Sequence, residues 1–143
     1  MTRYTRFDAG QKRIVVPGWL EGPLGETTLR LVLDTAASET TIAPRVIDGL
    51  GYNPRDGETP TTVTSALGKE YGYRTRIARL EALGFSIADL AVNVFDFADG
   101  DLFDGLIGLN FLQSFNYQVR SAEHCIVAST IRPMSLTRPA HSR

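Results

Sequence analysis

The amino-acid sequence predicts an all-β domain. Short β-prone runs recur along its 143 residues, Gly and Pro turn signals separate them, and only two short stretches have a helical pattern. The chain is long enough to bury a core, and its 43% hydrophobic and 22% charged residues are typical of a globular protein. We therefore expect an N-terminal segment of residues 1–12, a β domain of residues 13–130 and a basic, mobile C-terminal tail of residues 131–143.

The first β-prone runs predict a hairpin whose second strand ends at a carboxylate. Residues 14–16 begin a strand, residues 22–25 are a strong turn signal, and residues 27–33 alternate before they become fully apolar. This strand leads directly into Asp34, and the chain becomes β-prone again at residues 40–42. A carboxylate at the end of a buried strand is costly unless it is hydrogen-bonded or chemically useful, so Asp34 is a candidate functional residue.

The middle of the chain predicts a short helix and a long hairpin. Pro44 fits the first turn of a helix, which Gly49 and Gly51 would end. Residues 61–64 and 71–77 are β-prone and flank a small tip, which predicts a hairpin with much polar surface. Because such a hairpin need not pack into a core, it can extend over a cleft.

The last third of the chain adds strands around one apolar segment. Leu106, Ile107 and Gly108 form a short apolar run, and residues 109–113 follow it with a helical pattern. The other β-prone runs of this part are residues 91–95, 115–119 and 124–129. These short strands complete the predicted all-β domain.

An acidic run at residues 96–104 raises the alternative of a calcium loop. Its spacing does not match the alternating Asp pattern and distal Glu of an EF-hand, so an exposed acidic turn is the simpler interpretation. No spacing of Cys and His typical of zinc sites occurs either. We expect no metal and no cofactor.

Composition excludes several kinds of partner. The 15 basic and 16 acidic residues leave a formal net charge of −1, which argues against binding to nucleic acid or to an anionic membrane. No apolar run approaches the ~18 residues needed to span a bilayer, and the N-terminus lacks a signal-like stretch, so we expect a cytoplasmic protein. The single cysteine, Cys125, excludes an intrachain disulfide.

Three features stand in an order that resembles one enzyme family. Residues 34–38, Asp-Thr-Ala-Ala-Ser, resemble the active-site loop of aspartic proteases. The long hairpin resembles their flap, and residues 104–112 resemble the apolar-apolar-Gly segment and short helix of the retroviral-type enzymes, the retropepsins. The resemblance implies that residues 13–130 form a retropepsin-like domain: a closed β-barrel with one or two short helices, a flap hairpin and one lobe per protomer.

The resemblance also implies a role for each matching residue. Asp34 is implied to be the catalytic aspartate, and Thr35 resembles the threonine whose hydroxyl links two active-site loops. Ala36 and Ala37 would support the loop as the floor of the cleft. Substrate binding is implied for Ser38, Glu39 and the flap-tip residues Ala66, Leu67, Gly68 and Lys69, and structural support under the active site for Leu106, Ile107 and Gly108.

The implied activity is peptide-bond hydrolysis, which needs two carboxyl groups that share a proton. The sequence holds one Asp-Thr loop of this kind and is too short for two lobes, so the resemblance implies a homodimer acting on a peptide or protein substrate. Ala36 stands where the family almost always has glycine. Two alternatives therefore stay open: a catalytically silent dimer that binds peptides, and a β-barrel in which Asp34 only caps a turn.

Overall fold

The computed structural model describes residues 1–53, 60–65, 68–97 and 102–131. The predicted tip residues Ala66 and Leu67 lie outside these ranges, as do residues 132–143 of the predicted tail. The described ranges contain ten strands and two short helices: β1 (Thr2–Arg6), β2 (Val15–Gly22), β3 (Gly25–Leu33), β4 (Thr41–Ile42), α1 (Pro44–Gly49), β5 (Pro60–Ser65), β6 (Gly68–Ala82), β7 (Phe85–Val94), β8 (Gly105–Ile107), α2 (Leu109–Leu112), β9 (Phe115–Arg120) and β10 (Cys125–Thr130).

Six strands close into a barrel. Hydrogen-bonded neighbours follow the order β2-β3-β8-β4-β7-β6, and β2 also pairs with β6, which closes the ring. The pairs β3–β8 and β4–β7 are parallel, and the other pairs in the ring are antiparallel. The predicted all-β class with a closed barrel and short helices is confirmed. Because β8 lies between β3 and β4, it runs beside the end of β3, where Asp34 follows.

Alternating side chains on the strands fill the barrel. On β3, Leu29 and Leu31 are 3% and 0% exposed, whereas Thr28 and Arg30 are exposed on the other face. Burial of each such leucine stabilises the fold by about 1.5–3 kcal/mol. Further large side chains with less than 2% exposure are Leu20, Ile42, Ile47, Ile77, Leu80, Leu83, Phe85, Ile107, Phe111, Leu112 and Ile126. This core holds the strand ends that carry the loop after β3.

A second sheet, in the order β1-β10-β9, packs on the same core. Ile126 of β10 and Phe115 of β9 belong to the buried cluster of the barrel, and the Phe115 ring stacks on Phe85 with centroids 4.8 Å apart. β1 lies within residues 1–12, the segment that the sequence sets apart, and pairs along its length with β10. The division into three segments stays a prediction, with β1 tied to the β domain by this pairing.

Both helices are short, at fewer than two turns each. α1 has six residues and begins with Pro44, as predicted, and α2 has four. Neither is long enough to reach across a membrane, and the described ranges hold no other helix. Instead, α1 follows barrel strand β4 and α2 follows barrel strand β8, and α2 reaches the loop that follows β3.

Tyr52 extends the seam between β2 and β6. The last paired residues of this seam are Glu21 and Arg79. Beyond them, the Tyr52 hydroxyl donates to the Glu21 carbonyl oxygen and accepts from the Ala78 N–H at 2.9 Å. Burial raises the pKa of Tyr52 above its ordinary value, opposed by the Ala78 hydrogen bond and reinforced by the charge of Glu21. The neutral phenol is therefore the form that the folded chain favours.

We expect Tyr52→Phe to lower the free energy of unfolding by about 1 kcal/mol at neutral pH, because two backbone groups lose their partner. With its pKa raised on folding, Tyr52 stabilises the fold fully below its unfolded value of 10.0, and this contribution is lost as pH rises through the folded value. The difference between wild type and Tyr52→Phe should therefore shrink above about pH 10. Urea denaturation across this pH range measures it, with the exposed Tyr4→Phe as control. A difference that grows with pH would contradict the assignment.

Candidate active site

Asp34 is the first residue after β3, and its backbone is held on both sides. The Leu33 N–H donates to the Ile14 carbonyl oxygen at 2.9 Å, and the Asp34 N–H donates to the Ile107 carbonyl oxygen at 3.0 Å. The chain then turns tightly, since the Ala37 N–H donates to the Asp34 carbonyl oxygen at 3.3 Å. The carboxylate is partly exposed and its Oδ1 accepts from the Ala36 N–H at 3.0 Å. The backbone of Asp34 is thus held in place, while its carboxylate stays accessible from solvent.

The run Leu106-Ile107-Gly108 lies directly beside this loop. In β8, Leu106 pairs with Val32 of β3 and with Thr41 of β4. Ile107 is fully buried, and its carbonyl oxygen accepts the Asp34 N–H bond. Gly108 meets the loop so closely that a Cβ there would lie 2.5 Å from the Glu39 carbonyl carbon. Only glycine fits this contact.

The start of α2 closes the other side of the loop. The Leu109 N–H donates to the Ala37 carbonyl oxygen at 2.8 Å, and the Asn110 N–H donates to the Ser38 carbonyl oxygen at 3.1 Å. The first N–H groups of a helix lack partners within the helix, and here loop carbonyls supply them. No side chain caps α2 at Gly108. Helix and loop therefore satisfy each other's backbone groups.

Thr40 and Asn110 form a buried polar link that the sequence analysis did not identify. Asn110 Oδ1 accepts from the Thr40 N–H at 2.8 Å and from its hydroxyl at 2.9 Å. The Thr40 hydroxyl oxygen accepts from the Gly108 N–H at 3.1 Å, and Asn110 Nδ2 donates to the Ala91 carbonyl oxygen at 2.7 Å. Thr40 is 0% exposed, so these bonds are shielded from water. The only signal in the sequence was Asn110, a polar residue within an otherwise apolar segment.

Comparison with known proteins agrees with this arrangement. The family model described as "Aspartyl protease" matches residues 16–111, two thirds of the chain, and this span contains both the Asp34 loop and β8. The chain belongs to the aspartyl protease family. The crystal structure of a retropepsin-like aspartic protease from Rickettsia conorii matches with a TM-score of 0.66 over 90% of this chain and 89% of that chain, at 14% identity. This confirms the predicted retropepsin-like fold. No curated protein sequence matches the chain.

In this aspartyl protease, the tip of the loop faces outward. Thr35, Ala36 and Ser38 are exposed, and Ala37 is half-buried. Ala36 takes the place of the family's usual glycine, yet its φ lies outside the left-handed region that only glycine adopts easily. The alanine therefore does not strain the loop. Its methyl group is exposed on the outer side.

Part of the expected acidic turn, residues 98–101, lies outside the described residues, and Asp104 at its end has a structural role. Its Oδ2 accepts from the Arg30 N–H at 2.7 Å, and its Oδ1 pairs with the Arg45 guanidinium of α1. Its carbonyl oxygen accepts from the Ala43 N–H at 2.9 Å. These bonds tie β3 and α1 to the entry of β8. Among the described residues, no three His, Cys, Asp or Glu side chains come together as a metal site.

Of the four predicted tip residues, Gly68 and Lys69 begin β6. Residues 68–72 of β6 pair with β5 alone, and Tyr73 is the first residue that also pairs with β7, through Val94. We call residues 60–65 and 68–73 the arm. The arm extends from the barrel as a two-stranded hairpin, in agreement with the hairpin that the sequence predicts. A substrate-binding role for its residues stays a prediction.

One ion pair joins the loop to the base of the arm. Arg74 Nη2 of β6 lies 2.5 Å from Glu39 Oε1, with side chains 46% and 23% exposed. From the sequence, Glu39 was expected only as a possible subsite residue. The pair brings it together with a cation 35 residues away on the neighbouring hairpin.

Proposed function

We propose that this protein is a homodimeric aspartic endopeptidase in which Asp34 of each copy supplies one carboxyl group of the catalytic pair. The observation that carries the proposal is the placement of Asp34. Its backbone N–H is bonded to Ile107, and its carboxylate is accessible in a loop whose tip faces outward. Membership of the aspartyl protease family and the retropepsin-like fold support it.

The chemistry of the pair requires a second copy. One Asp34 carboxylate removes a proton from a water molecule, whose oxygen attacks the peptide carbonyl carbon. The other Asp34, protonated, donates to the carbonyl oxygen, so that a tetrahedral intermediate forms. The Asp34 that took the proton from water then donates it to the amide nitrogen as the C–N bond breaks. A hydroxyl of the intermediate returns a proton to the other Asp34, so that the pair again shares one proton. Because the sequence contains one such loop, a two-fold axis between two chains would bring the carboxyl groups together.

The predicted supporting roles fit this scheme. Thr35, exposed at the loop tip, would meet its counterpart across the two-fold axis. Leu106, Ile107 and Gly108 would hold the loop from beneath through the contacts of β8. Ser38 and Glu39 at the end of the loop would contact an extended peptide together with the arm. The expected cytoplasmic location stays a prediction.

The second candidate is a dimer that binds peptides without cleaving them, and Ala36 is the residue that favours it. Its methyl group is exposed, and a substrate backbone that approached the loop at this position would meet it. Two features weigh against this alternative. The loop keeps Asp34 and Thr35, and the φ of Ala36 leaves the turn unstrained. The enzyme is therefore the better supported candidate.

Cleavage of a mixed peptide library, followed by mass spectrometry, tests the proposed function. We expect new peptide termini that accumulate with time and that a statine-type transition-state analogue suppresses. A chain verified as a dimer that binds library peptides but produces no new termini across acidic and neutral pH would instead support the peptide-binding alternative.

The exposed methyl of Ala36 leads to a prediction of its own. Ala36→Gly should lower the free energy of unfolding by about 0.5–1 kcal/mol, because glycine loses more backbone entropy on folding. It should not reduce kcat/KM, since the loop conformation suits both residues and removal of the methyl widens the floor. Steady-state kinetics and urea denaturation measure both effects. A large loss of kcat/KM would show that the alanine is needed at this position.

A further inference from the structure

The base of the arm lies where β6 stops pairing with β5 and begins to pair with barrel strands. Up to residue 72, β6 pairs only with β5, and from Arg74 onward it pairs only with barrel strands. Arg74 itself is opposite Asn93 of β7. An isolated two-stranded hairpin is marginally stable and bends easily, whereas the barrel is held by its core. The direction of the arm is therefore decided within one or two residues of Arg74.

The partner of Arg74 is one of the most firmly held parts of the active-site loop. The Glu39 carbonyl group packs against Gly108, where no Cβ fits. The next residue, Thr40, is fully buried and bonded to Asn110, and its carbonyl oxygen accepts the Asn93 N–H at 2.9 Å. The Glu39 backbone is therefore a fixed anchor for its carboxylate, five residues after Asp34. Through its ion pair with Glu39, Arg74, the first barrel residue after the arm, is tied to the active-site loop.

We propose that the Glu39–Arg74 ion pair is a hinge clamp that sets the direction of the arm relative to the Asp34 loop. Arg74 is then a positioning residue. It fixes the distance between the arm and the loop, between which an extended peptide would lie. The clamp itself rests only on the fold, and its effect on substrate rests on the proposed endopeptidase function. A partly exposed pair of this kind shifts an equilibrium by about two- to fivefold, so the clamp biases the arm without locking it.

The chain offers a matched control two residues along the same strand. Arg76 also points outward from β6 and also pairs with a carboxylate, Asp89, at 3.4 Å. Asp89 lies in β7, and the bonds of Arg76 to its carboxylate and its carbonyl oxygen do not involve the Asp34 loop. Arg76→Met therefore removes the same charge from the same strand, together with an ion pair and a hydrogen bond to the Asp89 carbonyl oxygen, without touching the clamp. Arg74→Met removes the clamp and keeps the length of the aliphatic side chain.

Amide hydrogen exchange of the arm, at residues 60–65 and 68–73, tests the clamp directly. We expect Arg74→Met to accelerate exchange there by about two- to fivefold and to leave β2 and β3 unchanged. Arg76→Met should match wild type. The charge reversal Glu39→Arg with Arg74→Glu should restore slow exchange, and high salt should erase the difference between wild type and Arg74→Met. Equal exchange in Arg74→Met and Arg76→Met would overturn the clamp.

Kinetics then test the positioning role. Arg74→Met should raise KM by about two- to fivefold with kcat and the pH profile unchanged, because arm and loop would be displaced while the carboxyl pair stays intact. A fall in kcat with constant KM would overturn this role. If the wild-type chain cleaves no peptide, the proposed function fails, but the exchange measurement still decides whether the clamp exists.

Discussion

Replacement of Asp34 by asparagine is expected to reduce kcat/KM by about 10³-fold or more. Both copies of the dimer then lose the carboxyl group, so that no group remains to activate water or to donate a proton to the carbonyl oxygen. The fold should remain. Asparagine has the same shape, and its Oδ1 can still accept from the Ala36 N–H. Steady-state cleavage of a fluorogenic peptide measures the loss, while thermal unfolding and sedimentation measure stability and oligomeric state.

Asp104→Asn is the control for Asp34→Asn. Asp104 also follows the pattern of a carboxylate beside a barrel strand, but it bonds to Arg30 and Arg45 and has no proposed part in the chemistry. Its replacement should lower the free energy of unfolding, whereas kcat/KM should stay close to the wild-type value. Equal activity of wild type and Asp34→Asn, both verified as folded dimers, would exclude the proposed mechanism.

The largest effect on stability is expected for Gly108→Ala. The added Cβ would lie 2.5 Å from the Glu39 carbonyl carbon and 2.8 Å from the Thr40 nitrogen, and both are backbone atoms that cannot rotate away. The loop must move, which weakens the bond that the Gly108 N–H donates to the Thr40 hydroxyl and the bond that the Thr40 N–H donates to Asn110 Oδ1. We expect the free energy of unfolding to fall by about 3 kcal/mol. Peptide cleavage should fall with it, because the same movement displaces Asp34.

Gly49→Ala is the matched control for this substitution. Gly49 is the last residue of α1, and a Cβ there would meet no atom within 4 Å. The same chemical change should therefore be neutral or stabilising by up to about 1 kcal/mol. Urea denaturation of the two variants compares them directly. A Gly108→Ala chain as stable as wild type would mean that the loop and α2 are not packed as described.

The features that the sequence predicted well are local ones. The strand that ends at Asp34, the apolar run at Leu106 and Pro44 at the start of α1 each depend on a few consecutive residues whose pattern has one common structural meaning. Their order along the chain was enough to indicate the family. The family and the barrel were accordingly predicted, including the closure into a single lobe.

The features that the sequence did not predict depend on contacts between distant residues. Thr40 and Asn110 are 70 positions apart, and nothing in either segment indicates the other. Asp104 resembled a solvated turn because its partner Arg30 is 74 positions away. β1 was set apart for the same reason, since its partner β10 lies at the opposite end of the chain.

Strand lengths were also underestimated. β6 runs from Gly68 to Ala82 and β7 from Phe85 to Val94, beyond the predicted residues 71–77 and 91–95. The two strands meet at a tight turn in which Leu83 and Gly84 both have positive φ. Leucine is unusual in this conformation, and its burial in the core stabilises a turn that sequence preferences alone disfavour.

A mixing experiment tests most directly whether two Asp34 residues form one site. Wild-type chain is allowed to exchange subunits with a ninefold excess of Asp34→Asn chain, and activity is measured per wild-type chain. If each site needs both carboxyl groups, random pairing leaves about a tenth of the original activity, because most wild-type chains then face an inactive partner. The same excess of an unrelated protein should change nothing. Activity per wild-type chain that stays constant in the mixture would contradict the shared site.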